Sequence, residues 1–218
     1  MGSATRSTRA ARSEAGTRSD RQSRILARSG PVLSRAFYAR PTLAVARDLL
    51  GKVLAHDGPA GRKAARIVEV EAYLGADDPS SHAYRGLTER NRPMFGEPGH
   101  AYVYLSYGVH RCMNVVAKSA GRPAGAVLLR GAEPLEGFGG DPRVLAGPGL
   151  IGRGFGLTTA HSGADLLASP LRIHDAPAVP ASLVGRSARV GLSSGHTADR
   201  AWRLYVRGSP GVSRSPRI

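Results

Sequence analysis

The stretch "RIVEVEAYLG", Arg66 to Gly75, decides how the rest of the chain is read. Its period-two alternation predicts a β-strand with Val68, Val70, Ala72 and Leu74 on one face and Ile67, Glu69, Glu71 and Tyr73 on the other. The first face can seal a core. The second sets two carboxylates beside a phenol, just ahead of a turn, "ADDPSSHAYRG", that brings in His82 and Arg85. An outward-facing strand glutamate is ordinarily a solvated group. Here Glu71, Tyr73 and His82 can converge at one strand end, and acid, phenol and imidazole together are what a site for acid–base chemistry requires.

Working outward, "KVLAH", "HAYVYLSYG", "RCMNVVAK", "GAVLLRG" and "WRLYVRG" also read as strands. "TLAVARDLLG" reads as a short amphipathic helix with Thr42 as its cap and Gly51 as its stop. "GPGLIGRGFGL" is a helix candidate weakened by its glycines, and the Gly-, Pro-, Ala- and Ser-rich segments 138–148 and 169–189 read as loops. Short strands separated by Gly/Pro turns, with few helices between them, predict an α+β single domain on a curled, mostly antiparallel sheet with long loops. Strand order cannot be read from this pattern.

The 218 residues carry a formal charge of +15 at pH 7. Residues 1–36 hold eight arginines against Glu14 and Asp20, so nine of the fifteen charges belong to the remainder. That excess predicts a polyanionic partner such as nucleic acid or an acidic membrane surface. Residues 1–33, rich in Arg and Ser and without apolar periodicity, are expected to form a disordered basic tail, leaving 34–218 as the folded domain. A single cysteine, Cys112, excludes an internal disulfide framework, and no apolar run is long enough to span a bilayer, so an intracellular, cytoplasmic, nucleoid-associated protein is expected.

Further chemistry-bearing positions follow. Tyr102 and Tyr104 share a strand face. Tyr107 precedes Gly108 and can project from a turn, as an aromatic wedge entering a base stack would. Asn114 interrupts the apolar run "CMNVV", either as a satisfied structural amide or as a reader of a ligand edge, and Arg130 ends "AVLL" as a phosphate contact, a partner of Glu71 or a first exposed residue. Phosphate-loop, dinucleotide, GxSxG and HExxH signatures are absent. Asp77, Asp78 and His82 could hold a divalent ion, although Asp-Asp-Pro is more often turn chemistry.

Four ordered strings, "RIVEVEAYLG", "RGLTERNRPMFGEPGHAYVYLSYGVHRCMNVV", "GAVLLRGAEPLEG" and "WRLYVRGSPGVSR", resemble the alkyladenine (3-methyladenine) DNA glycosylase family from about Leu33 onward. The resemblance implies catalytic roles for Glu71, as the general base that activates water, and for Arg130, which helps to hold that water. It implies that Tyr73, His82 and Tyr104 stack on an extruded base, that Asn114 crowds the exocyclic amine of guanine, and that Tyr107 fills the gap left in the duplex. No cofactor and no metal are implied; the partner is double-stranded DNA with damaged purines, bound by a monomer. Two positions depart from the pattern: Leu150 replaces a common lysine after Gly-Pro, and Val109 stands where methionine is frequent.

The reading that results is a monofunctional glycosylase, since a lyase needs an amine nucleophile and Lys52, Lys63 and Lys118 fall outside these strings. It competes with a non-catalytic nucleic-acid binder using the aromatic strand as a stacking surface, and with a metal-dependent hydrolase built on Asp77, Asp78 and His82.

Overall fold

The computed structural model describes Ser23, Ile25, residues 29–192 and residues 200–213. The disorder expected of residues 1–33 falls largely outside these. Of the described ones, Gly30 donates its N–H to Asp175 O, Val32 bridges to His174, and Leu33 is buried in the core.

Strands β1 (Val53–Gly58), β2 (Gly61–Tyr73), β3 (Ala101–Ser106), β4 (His110–Val116), β5 (Ala126–Glu136), β6 (Leu171–His174), β7 (Val184–Ser187) and β8 (Arg203–Val206) form one antiparallel sheet. Its main path runs β3-β4-β5-β2-β1-β6, with β8 on β2 and β7 on β8. The 13-residue β2 is the spine. One edge pairs with β5 along nearly its whole length; the other pairs first with β1 and then with β8, so the sheet curls around it. Helices are short: α1 (Arg35–Tyr38), α2 (Thr42–Leu49), α3 (Arg92–Phe95) and α4 (Pro148–Gly154). This is the expected α+β domain on a curled antiparallel sheet.

Period two fails between Ile67 and Val70, and this failure makes the site. Ile67 is buried in the main core with Val68, Val70 and Ala72, not on the face of the glutamates. The cause is a β-bulge. Ile67 pairs with Ala132 and Glu69 with Gly131, which leaves Val68 as an extra residue on β2; Glu69 and Val70 then face Gly131 and Leu129, which leaves Arg130 as an extra residue on β5. Each bulge reverses the parity of its strand. On β2 the core side passes from Ala65 and Ile67 to Val68, Val70 and Ala72; on β5 it passes from Val127 and Leu129 to Ala132. Glu69, Glu71 and Arg130 are thereby turned away from the aliphatic core together.

Three other expectations need correction. The segment 169–189 is not all loop, because β6 and β7 lie in it; at four residues each they are too short for alternation to register. Thr42 does not cap α2. It is the first helical residue after Pro41, and its hydroxyl donates to Ala117 O at 2.8 Å, tying helix to sheet. The glycines of "GPGLIGRGFGL" do not prevent a helix: they let α4 lie against β4, since a Cβ on Gly152 would stand 2.0 Å from Arg111 O and one on Gly149 2.9 Å from the His110 ring. Packing outweighs intrinsic propensity there.

Candidate active site

The sheet face opposite the main core carries Glu71, Leu128, Asn114 and Tyr102 in one transverse row of paired residues, with Tyr104 paired to Cys112 in the next. A small second core of Ala83, Met94, Tyr102, Val116, Ala124 and Ala126 supports one end of this face. The rest opens into a cavity of about 480 Å³, enough for one purine nucleoside, whose walls include Tyr73, His82, Tyr104, Asn114 and Arg130.

Glu71 lies directly behind the wall, fully buried. Its Oε2 accepts the Tyr73 hydroxyl at 2.9 Å, its Oε1 accepts the Val190 N–H at 2.7 Å, and Arg130 Nε stands 3.3 Å from Oε1. Tyr73, Arg130 and Val190 all line the cavity, so Glu71 stands one residue behind its wall at all three contacts. Burial, then the adjacent Glu71 charge, raises the Tyr73 pKa well above the usual phenol value, so this hydroxyl is a fixed donor to the carboxylate. Burial opposes the charge on Arg130, but Glu71 and Glu69 outweigh it and its pKa is raised.

The aromatic wall is a connected network. His82 Nδ1 is 2.9 Å from the Tyr102 hydroxyl; the His82 ring meets Tyr104 edge-to-face at 4.6 Å, and Tyr102 and Tyr104 stack at 5.3 Å. Burial, with the Arg90 charge second, lowers the His82 pKa, which favours the neutral ring near pH 7. Burial raises the Tyr102 phenol to about 12. Asn114 Nδ2 donates to Tyr102 O at 3.2 Å across the β3–β4 pair. The residue expected to be either structural or reading is both bonded to backbone and part of the cavity wall.

Tyr107 stands apart, at the tip of the β3–β4 hairpin and 91% exposed. Val109 N–H donates to Ser106 O, and Tyr107 (φ 49°) and Gly108 (φ 71°) are both left-handed, a primed turn that suits the twist of the flanking strands. A tyrosine held in that region with its ring in solvent is a positioned projection. Val109, the departure from the family pattern, is exposed beside it, and Leu150 lines a neighbouring groove between the hairpin and α4.

The structure also contributes what the local sequence does not mark. Arg189, fully buried in its side chain, clasps Asp78 with two bonds of 2.6 and 2.8 Å, donates to Ala72 O, and lies over the rings of Tyr73 and Trp202. It anchors the strap whose next residue, Val190, reaches Glu71. Asp77 pairs with Arg122, so Asp77 and Asp78 are each engaged by a different guanidinium. Tyr102 completes the wall that Tyr104 begins, and its period-two relation to Tyr104 was the available signal. Glu69, buried beside Glu71, bonds Arg203, Arg130 and Ser213.

Residues 36–210 match the family model for methylpurine-DNA glycosylase. The chain belongs to the methylpurine-DNA glycosylase family. Among its relatives, a protein of Methanocella arvoryzae is 48% identical over 84% of this chain and 96% of its own length. One from Anaeromyxobacter dehalogenans is 50% identical (84% and 86%), and one from Myxococcus xanthus is 45% identical (84% and 94%). Each is named "Putative 3-methyladenine DNA glycosylase". The chain is a DNA glycosylase of DNA repair, a hydrolase of N-glycosyl bonds, with DNA as its substrate. Among the described residues no helix is long and apolar enough to cross a membrane.

Proposed function

We propose that the protein extrudes an alkylated or deaminated purine, of the 3-methyladenine, 7-methylguanine and hypoxanthine class, from duplex DNA into the 480 Å³ cavity and hydrolyses its N-glycosyl bond. The observation that carries this reading is the position of Glu71: a buried carboxylate directly behind the wall, held by Tyr73, Val190 and Arg130, three residues that line the cavity.

In this mechanism Glu71 takes a proton from water as the water oxygen bonds to the anomeric carbon. The carbon–nitrogen bond breaks, and its electron pair leaves with the purine. Positive charge growing on the sugar is stabilised by the same carboxylate. Arg130, 3.3 Å from Glu71, holds the water beside it. The rings of Tyr73, His82 and Tyr104 sandwich the base; a cationic alkylpurine gains about 0.5 to 2 kcal/mol per well-placed ring over a neutral one. Asn114 crowds the exocyclic amine of guanine, and Tyr107 occupies the gap in the stack. Among the described residues no lysine lines the cavity, so the product in this reading is an abasic site, and one protein copy suffices.

The test incubates the protein, with chelator present, with duplex DNA carrying hypoxanthine and with methylated DNA, and measures free base. Release by wild type and its loss in Glu71→Gln, with DNA binding retained, is expected. Equal release by Glu71→Gln would remove Glu71 from the mechanism; binding without release from either substrate would favour a binding module.

A further inference from the structure

Glu69, like Glu71, stands behind the residues that line the cavity, and it carries the larger set of bonds. It is fully buried. Its Oε1 accepts Arg203 Nε at 2.6 Å, Ser213 Oγ at 2.8 Å and Arg130 Nε at 3.2 Å, and its Oε2 accepts the Ser213 N–H at 2.6 Å. The Ser213 hydroxyl also accepts Arg130 Nη2 at 3.3 Å. Arg130 Nε thus sits between two carboxylates, 3.2 Å from Glu69 and 3.3 Å from Glu71.

Charge explains why such an arrangement is built. Glu69, Glu71, Arg130 and Arg203 are all buried, and two carboxylates with two guanidiniums make a neutral set, which a low-dielectric interior requires. A simple Glu71–Arg130 pair would also be neutral, but it would bind the whole guanidinium charge to the one carboxylate that has to accept a proton. We propose that Glu69 is a positioning residue for the hydrolytic reaction: fixed by Arg203 and Ser213, it shares Arg130 with Glu71 and so sets how much of that positive charge the general base feels. This rests on the reading of Glu71 as the base.

Other groups stand around Glu71 among the described residues. Tyr73 on β2 donates to it; Tyr104 on β3 lies near it as a protonated phenol, and Cys112 on β4 lies near Arg130 with its thiol pKa raised by burial. Arg189 on the strap has Asp78 as its own counter-charge, and Val190 contributes an uncharged N–H. Of the described charges bonded to Arg130 or to its partner carboxylate, Glu69 and Arg203 can be altered without replacing a cavity-lining residue.

The experiment is the pH profile of single-turnover base release for Glu69→Gln, Arg203→Gln and the double variant. An ionised Glu71 is required, so the rate rises with pH along an acid limb. Glu69→Gln leaves an excess positive charge and gives Arg130 wholly to Glu71: the acid limb moves to lower pH by about one unit and the plateau falls on the order of tenfold. Arg203→Gln leaves an excess negative charge and draws Arg130 toward Glu69, so the limb moves to higher pH. The double variant is neutral again and its limb returns close to wild type. Ser213→Ala, which removes only a hydroxyl from Glu69, moves the limb in the direction of Arg203→Gln by less, and decides the matter if a charge variant does not fold. A limb that stays in place, or that moves in the same direction in both single variants, overturns the proposal, since a structural role lowers activity without moving the limb. Glu71→Gln separates the two claims: if it retains activity, the underlying mechanism fails; if it is inactive and the limbs do not move, only this inference fails.

Discussion

Arg189→Met tests whether the strap over Glu71 is held by its buried ion pair. Arg189 and Asp78 are both fully buried in their side chains and joined by two bonds of 2.6 and 2.8 Å. Methionine fills much of the same space but takes the guanidinium away from the buried Asp78 carboxylate, which also accepts from the backbone N–H groups of Leu74 and Ser80 at 3.2 and 3.1 Å. Breaking a buried pair from one side costs about 3–5 kcal/mol, chiefly from the stranded charge. Loss of the ring contacts with Tyr73 and Trp202 acts in the same direction. For a domain of this size the expected drop in Tm is on the order of 6–20 °C. The assay is denaturant and thermal unfolding of wild type, Arg189→Met, Asp78→Asn and the double variant. Removing both charges is expected to recover most of the loss, because the stranded charge goes with its partner. An Arg189→Met protein within about 1 kcal/mol of wild type, or a double variant no more stable than the single, would refute the reasoning. Below its melting temperature Arg189→Met is also expected to release base slowly, since Val190 follows it directly in the chain.

Tyr107→Ala is expected to leave stability within about 0.5 kcal/mol, as the ring is 91% exposed, while slowing base release from duplex DNA on the order of tenfold or more and from single strands little. Parallel melts and single-turnover assays on the two substrates check this. Gly152→Ala drives a Cβ to within 2.0 Å of Arg111 O, so α4 must back away from β4; a loss of about 1–3 kcal/mol in denaturant unfolding is expected. Asn114→Ala removes an amide from the cavity wall and is expected to raise release of guanine from undamaged DNA on the order of tenfold, read by chromatography of the freed base.

The class of fold and half of the site were legible because both rest on local periodicity. Val68, Val70 and Ala72 face the core as alternation predicts, Tyr102 and Tyr104 share a wall, and Gly108 marks the turn that presents Tyr107. Alternation misplaced Ile67 because a bulge changes parity without leaving a mark in residue type; Val68 is as good a strand residue as its neighbours. The clasp of Asp78 by Arg189 joins positions 111 apart and the seat of Glu69 on Ser213 joins positions 144 apart, and no pattern within a window reaches that far. The short strands β6 and β7 exist because neighbours supply the pairing, not because their composition demands it. Leu150 and Val109 had no signal from spacing at all; the structure puts both in the groove between the hairpin and α4.

The two bulges on β2 and β5 have a bearing on how such a chain can change over generations. Losing the extra residue from β2 alone would slide every residue beyond it by one place, pointing Glu71 at the aliphatic interior and Val70 or Ala72 at the cavity. Losing it from β5 alone would remove Arg130 itself and slide the rest of that strand by one place. Point substitutions can drift through these strands one at a time, whereas a one-codon deletion in either is expected to be lethal to function unless the other strand is re-phased with it. Length, more than identity, is therefore the inherited quantity in this pair, and the gaps that separate this protein from its relatives are expected to fall in the connections around β2 and β5, not within them.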